Sequence, residues 1–251
     1  MNYYIENNKL RVTMSSKGAE LISLWDKENG KEYIWNGDPS VWKWHAPVLF
    51  PCCGNFPDGY THNGKNYQLP MHGFLRDAEH TLTDSGRFLF ESSGNEFYPF
   101  SFSAETEFIL DGMKLTHRLS IANRGNEPMP YSIGFHTGLR IAKPLLVFEK
   151  NEKELDGNEF KCNDETLKCT KLFTGIESRR ITARGSDGKE LRLTSPEFTT
   201  LVIWSAEGHT GDYVCIEPRI DTVPEGAEIP FARALMPSCR AVLEETIEII
   251  S

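Results

Sequence analysis

The sequence lacks the features that mark nucleic-acid-binding and membrane-spanning proteins. It has 251 residues, with 27 Lys and Arg against 36 Asp and Glu, a net charge of −9 at pH 7, and no basic run. Duplex nucleic acid is bound by clustered cations that neutralise phosphates, so we expect no nucleic-acid partner. The apolar runs are far shorter than the roughly 18–20 residues that span a bilayer, and the N-terminal residues do not resemble a signal peptide. We therefore expect neither membrane insertion nor export.

The six cysteines form no recognisable disulfide or zinc framework. Cys52 and Cys53 are adjacent, Cys162 and Cys169 lie seven positions apart, and no C-x-x-C occurs. The signatures of nucleotide-binding loops, zinc proteases and α/β-hydrolases are also missing. We expect reduced, mostly structural thiols, a cytoplasmic location, and no metal or cofactor.

Short alternating runs separated by turn signals recur along the chain and predict antiparallel strands rather than βαβ units. Three pairs of runs are typical of hairpins: ELISLW with EYIW, FSFSAETEFIL with MKLTHRLSIAN, and RRITAR with KELRLTS. His117 shares its parity with apolar neighbours in LTHRLSI, so we expect it to pack within the sheets. The C-terminal AVLEETIEII is also predicted to be a strand. The fold class is therefore all-β, and no linker divides residues 1–251, which favours a single domain.

The segment from Pro39 to Arg76 differs from the rest of the chain. It is rich in Trp, Pro, Gly, His and Asn, and it shows little alternation. Long irregular segments in compact domains are usually functional or disordered, and the aromatic content argues against disorder. This segment is therefore a candidate for part of a binding site.

Three ionisable residues stand at predicted strand ends or in Gly- and Pro-bearing loops, where sites tend to lie. They are His72 in MHGFLRD, His136 in SIGFHTGLR and Glu217 in VCIEPR. Each also has a structural interpretation. The histidines can be satisfied structural residues, and Glu217, in an apolar strand, can form a buried ion pair with Arg219 or Arg240. The sequence alone does not bring the three together.

The order of four motifs, APVLFPCCGNFPDG, LPMHGFLRD, MPYSIGFHTGLR and VCIEPR, resembles the aldose 1-epimerases (galactose mutarotases), especially their shorter bacterial branch. The resemblance extends from about Gly18 to the C-terminus. It implies a large twisted antiparallel β-sandwich, in agreement with the hairpins. It also implies an isomerase that interconverts the α and β anomers of an aldose.

The resemblance assigns a role to each of the three ionisable residues. It implies that Glu217 is the general base, that His136 is the general acid, and that His72 helps to hold and polarise the sugar. Anomer exchange needs a proton removed from the C1 hydroxyl and one delivered to the ring oxygen, so that the hemiacetal opens and recloses. A carboxylate and an imidazole, with ordinary pKa values near 4.3 and 6.5, suit that chemistry.

The residues implied to bind the substrate differ in part from the family pattern. Asn55 stands where the family usually places an arginine, Arg219 stands where tryptophan is common, and an acidic residue usual soon after Phe173 is missing. Further substrate-binding candidates are Trp44 and Phe74, as aromatic platforms, and Arg76, as a phosphate ligand. Arg76 can instead form a surface salt bridge with Asp77. With Arg219 and Arg140, Arg76 suits a phosphorylated or acidic sugar, so we expect a small sugar or sugar phosphate as the partner.

Two other functions remain open. The chain is also compatible with a non-catalytic carbohydrate-binding or regulatory protein that retains the sugar pocket. A carbohydrate lyase on the same sandwich is a third hypothesis, because one fold hosts several chemistries.

Overall fold

The computed structural model describes residues 1–223 and 231–250, and almost all regular structure in these ranges is β-strand. In chain order the strands are β1 (Asn2–Glu6), β2 (Leu10–Ser15), β3 (Glu20–Asp26), β4 (Lys31–Glu32), β5 (Val48–Leu49), β6 (Tyr60–His62), β7 (Lys65–Tyr67), β8 (Thr81–Asp84), β9 (Arg87–Ser93), β10 (Ser101–Asp111), β11 (Lys114–Asn123), β12 (Met129–Tyr131), β13 (Ile133–Phe135), β14 (Thr137–Leu139), β15 (Leu145–Phe148), β16 (Glu159–Lys161), β17 (Lys171–Phe173), β18 (Arg180–Arg184), β19 (Glu190–Thr194), β20 (Thr200–Trp204), β21 (Val214–Ile220), β22 (Arg233–Leu235) and β23 (Arg240–Ile249). A 3₁₀ helix spans Leu75–Asp77.

The strands form three larger sheets and two short ribbons. The largest sheet has nine strands in the order β16-β15-β18-β19-β23-β11-β10-β9-β8, and a second sheet has the order β17-β20-β21-β13-β5, with β14 also pairing with β21. The N-terminal strands form a four-stranded sheet, β1-β2-β3-β4. The ribbons are β6-β7 and β12-β22. Neighbouring strands are antiparallel throughout, so the predicted all-β sandwich is confirmed.

The three predicted hairpins are present, and one has a shorter second strand than expected. β10 pairs with β11 across Asp111-Gly112, β18 with β19, and β3 with β4. β4 ends at Glu32 because Ile34 leaves that pairing and bridges to Leu139 instead. The C-terminal strand prediction is confirmed by β23, which lies between β11 and β19.

Alternation along β21 separates the packed interior from the functional face. Val214 and Ile216 are buried in the main hydrophobic core, where residues of all three larger sheets meet. Because side chains alternate along a strand, the residues between and after them, Cys215, Glu217 and Arg219, lie on the opposite face. The irregular segment before the 3₁₀ helix covers part of that face.

None of the described residues forms a helix long and apolar enough to cross a membrane. That residues 1–251 form a single domain stays a prediction.

Candidate active site

A cavity of about 380 Å³ opens on the Glu217 face of β21. The residues that line it come from β20, β21, the junction of β13 and β14, the position just before β17, the 3₁₀ helix and the irregular segment before that helix. They are Trp42, Trp44, Gly54, Met71, His72, Arg76, His136, Thr170, Val202, Trp204, Glu217 and Arg219. The structure therefore brings His72, His136 and Glu217 together, although long stretches of sequence separate them.

Glu217 presents its two carboxylate oxygens to different partners. The side chain of Arg219 donates hydrogen bonds to Oε2, from Nε at 3.1 Å and from Nη2. Oε1 has no hydrogen-bond partner within residues 1–223 and 231–250, and it lies 3.4 Å from Nε2 of His136. One oxygen is thus held, and the other is available to exchange a proton.

Burial raises the pKa of the Glu217 carboxyl to about 7, because water no longer solvates its charge. The positive charge and hydrogen bonds of Arg219 oppose that rise, while Asp221 adds to it. A carboxyl group that titrates near neutrality is matched to proton transfer under physiological conditions.

His136 lies at the break between β13 and β14, where its backbone N–H donates to the Pro47 carbonyl at 3.0 Å. Its ring stacks on Trp42 with centroids 4.8 Å apart, and Trp204 meets it edge-on at 5.6 Å. Burial and the nearby positive charge of Arg219 hold the pKa of His136 well below its usual range. The imidazole is therefore neutral at pH 7.

His72 is fixed by a reciprocal pair of hydrogen bonds with Gly54. The backbone N–H of His72 donates to the Gly54 carbonyl at 2.7 Å, and the Gly54 N–H donates to Nδ1 of His72 at 2.9 Å. Since Nδ1 accepts, the ring proton lies on Nε2. Burial lowers the pKa of His72 to about 3, so its ring is also neutral.

The tight turn at His72 depends on its backbone conformation. His72 has φ +65 and Gly73 has φ +73, in the left-handed region that favours glycine. A Cβ on Gly73 would come within 2.0 Å of the Phe50 carbonyl oxygen. The glycine in MHGF therefore lets the chain pass close to Phe50 and carry His72 to the cavity.

Trp44 lines the cavity, but charged groups lie over its ring. The guanidinium carbon of Arg76 lies 4.0 Å from the ring centroid, and the Lys43 ammonium lies 4.4 Å from it. Nη2 of Arg76 also donates to the Met71 carbonyl at 2.7 Å. Trp44 thus supports cations at the cavity wall instead of offering an open face for sugar stacking.

The structure does not bring Asn55, Phe74 or Arg140 to this cavity. Phe74 packs in an aromatic cluster with Phe90, Phe97, Tyr98 and Phe102. Asn55 is exposed, although its neighbour Gly54 lines the cavity. Arg140 is exposed on the wall of another cavity, so its predicted charge contribution to the Glu217 site was wrong.

The predicted buried ion pair of Glu217 is confirmed with Arg219 and not with Arg240. Arg240 instead lies 4.0 Å from Glu105. Sequence reasoning missed Trp42 and Trp204 as walls around His136. Trp42 lies in the aromatic-rich irregular segment that predicted a binding region, but nothing in the sequence indicated that this ring stacks on His136.

Side-chain atoms of His136, Cys215 and Glu217 lie within 4.8 Å of one another and are the candidate metal ligands in the described part of the chain. Their chemistry does not suit a cation. Burial raises the pKa of the Cys215 thiol well above its usual range, which keeps it protonated, and Arg219 already provides a positive charge beside Glu217.

Known proteins resemble this chain in sequence and in fold. A model of the aldose 1-epimerase family matches residues 1–195. The chromosomal protein LacX of Lactococcus lactis subsp. lactis is 26% identical over 266 residues, covering 87% of each chain. A galactose mutarotase-like protein from Lactobacillus casei has a TM-score of 0.88 at 23% identity, covering all of both chains. A galactose mutarotase related enzyme from Lactobacillus acidophilus has the same TM-score and identity, covering 100% of this chain and 98% of its own. Because the family model matches well over half of its residues, the chain belongs to the aldose 1-epimerase family.

Proposed function

We propose that this protein is an aldose 1-epimerase that interconverts the α and β anomers of a monosaccharide or its phosphate. The observation that carries the proposal is the 3.4 Å separation between Oε1 of Glu217 and Nε2 of His136 at an accessible cavity. The hydroxyl and the ring oxygen of a hemiacetal share carbon C1. A base and an acid that lie a few ångströms apart can therefore serve both oxygens at once.

In the proposed reaction, Oε1 of Glu217 takes the proton of the C1 hydroxyl. The C1–O1 bond gains double-bond character as the C1–O5 bond breaks, and His136 gives the proton on Nε2 to O5. The product is an open-chain hydroxy-aldehyde. Rotation about C1–C2 exposes the other carbonyl face to O5, and ring closure by the reverse proton movements gives the other anomer.

The neutral state of both imidazoles shapes these roles. His136 approaches O5 as a hydrogen-bond donor, and the proton moves when bond cleavage makes O5 strongly basic. Glu217, now protonated, keeps the proton that it returns to O1 on ring closure, when His136 takes the proton back from O5. His72 presents Nε2–H from its fixed ring, 5.5 Å between centroids from His136, and stabilises the negative charge that develops on the sugar oxygens.

The charge distribution supports Arg76 as the contact for an anionic substituent. Arg219 is engaged with Glu217. Arg76 lines the cavity, and its ion-pair contact within the described part of the chain is the half-exposed Asp77, 3.8 Å from Nε. A sugar phosphate would place its anion at Arg76 and leave C1 at the Glu217–His136 pair. We propose a cytoplasmic location on the cysteine pattern, which is typical of reduced proteins.

Anomer exchange tests the proposal directly. NMR exchange or polarimetry is measured on matched aldoses and aldose phosphates with the wild type, Glu217→Gln and His136→Ala. We expect each substitution to lower the exchange rate by about 10²- to 10⁴-fold, the usual contribution of a positioned acid or base. Wild-type rates in both variants would refute the proposed roles.

The Arg219–Glu217 ion pair also favours a second candidate, a non-catalytic sugar-binding or regulatory protein. A carboxylate held by arginine can accept sugar hydroxyls without removing a proton. Saturable binding of a sugar, with no accelerated exchange on any aldose or aldose phosphate, would support this candidate over the enzyme.

A further inference from the structure

Arg219 was expected to contact the substrate, but its guanidinium is directed at Glu217. We infer that Arg219 is a positioning residue that fixes Oε2 of Glu217 and leaves Oε1 as the oxygen that exchanges protons with the sugar, an assignment that rests on the proposed function. Two of its nitrogens, Nε and Nη2, donate to the same Oε2. Its Nη1 lies 3.7 Å from the carboxylate of Asp221.

The guanidinium of Arg219 therefore contacts two carboxylates, that of Glu217 on β21 and that of Asp221 directly after β21. Double donation to one oxygen restrains rotation of the Glu217 carboxylate, because both hydrogen bonds must weaken when that oxygen moves. A lysine would carry the charge but would not offer several donor nitrogens in a fixed planar arrangement. Arg219 thereby distinguishes the two oxygens of Glu217.

The sheet leaves space for the aliphatic part of the Arg219 side chain. In the ladder between β13 and β21, Arg219 faces Gly134. A Cβ on Gly134 would lie 2.9 Å from Cγ of Arg219 and 3.1 Å from Sγ of Cys53. The missing side chain at Gly134 thus leaves room for Arg219, whose side chain is 9% exposed. A side chain confined in this way is suited to holding Glu217 in a fixed position and not to adjusting to a bound sugar.

The charge of Arg219 also decides whether Glu217 can act as a base. The titratable groups around the carboxylate, from every element that packs there, are Cys53, His72, Arg76, His136, Cys215, Arg219 and Asp221. Both histidines are neutral at pH 7, and Arg219 is the cation that hydrogen-bonds to Glu217. Without that cation, burial would keep Glu217 protonated at neutral pH.

Carbon NMR of protein labelled at the glutamate carboxyl measures this effect without relying on activity. The samples are the wild type, Arg219→Gln, Arg219→Lys and the surface control Arg240→Gln, with Glu217→Gln used to assign the resonance. We expect the Glu217 pKa to rise by about 1 to 3 units in Arg219→Gln, the usual effect of a neighbouring guanidinium. Arg240→Gln should leave it unchanged. An identical titration in Arg219→Gln and the wild type would overturn the inference.

Sugar kinetics then separate positioning from substrate binding. We expect Arg219→Lys to lower kcat with little change in KM, because the charge remains while the carboxylate loses its fixed orientation. A rise in KM with kcat unchanged would show that Arg219 binds the sugar, and would also overturn the inference. If Arg219→Gln does not fold, the titration and the kinetics of Arg219→Lys decide. If the wild type exchanges no anomer, the proposed function fails while the titration still tests the contact.

Discussion

Two buried histidine–glutamate pairs in this protein have nearly the same separation but very different surroundings. His136 and Glu217 lie 3.4 Å apart at the wall of a cavity. His117 and Glu245 lie 3.3 Å apart between β11 and β23, with both side chains fully buried. A close imidazole–carboxylate contact is therefore not sufficient to identify an active site.

The two pairs differ in the groups that contact them. Glu245 accepts a hydrogen bond from the Thr137 hydroxyl at 2.5 Å, and the His117 ring packs between Phe108 and Phe135, each with centroids 4.5 Å away. Arg219 donates to one oxygen of Glu217, while the other oxygen lies 3.4 Å from Nε2 of His136 and has no hydrogen-bond partner among the described residues. We therefore interpret His117–Glu245, the inner pair, as a structural contact within the nine-stranded sheet that Thr137 ties to β14. We interpret His136–Glu217, the outer pair, as the reactive one.

The largest expected effect is on stability, and it should appear in the inner pair. His117→Ala removes a ring from between two phenylalanines and leaves the buried Glu245 side chain with Thr137 as its remaining partner among the described residues. We expect a loss of about 3–5 kcal/mol in the free energy of unfolding. His136→Ala, at the cavity, should cost about 1 kcal/mol. Urea unfolding followed by tryptophan fluorescence measures both, and equal losses would contradict the distinction between the pairs.

The difference between the two pairs could be predicted only in part from the sequence. Alternation along MKLTHRLSIAN predicted correctly that His117 packs within the sheets. It did not reveal Glu245 as the partner, because the two residues are 128 positions apart and meet only through the register of β11 and β23. That register is set by the assembled sheet.

The residues of the candidate site also divide into those that the sequence could identify and those that it could not. His72, His136 and Glu217 could be found because they lie in ordered motifs, and the structure brings all three to one cavity. Phe74 and Trp44 lie in the irregular segment, where no periodicity indicates the face to which a side chain points. Phe74 consequently turned out to pack in an aromatic cluster, and the Trp44 ring is covered by Arg76 and Lys43.

The next effect is a pH dependence that should belong to the outer pair. Glu217 must be ionised to accept the C1 proton, and burial raises its pKa to about 7. We expect kcat/KM to fall about tenfold for each pH unit below that value and to level off above it. The pKa of His72 is lowered to about 3 and that of His136 is well below its usual range, so neither ring should add a second transition near neutral pH.

Thr137→Val is the matched control for the pH profile. It removes the hydrogen bond to Glu245 of the inner pair and leaves the groups around Glu217 in place. The acid limb of kcat/KM should keep its midpoint in this variant. A midpoint that moved with Thr137 would indicate that the inner pair controls the ionisation of Glu217.

The smallest expected effect comes from replacing the whole inner pair by apolar residues. In the triple variant His117→Phe, Glu245→Leu, Thr137→Val, no polar partner is left behind. Because buried polar groups lose hydration that their mutual attraction only partly returns, such exchanges are often neutral or stabilising. We expect a free energy of unfolding within about 1 kcal/mol of the wild type, and anomer exchange that persists. A triple variant as unstable as His117→Ala would mean that the pair itself, and not the penalty of breaking it, stabilises this part of the nine-stranded sheet.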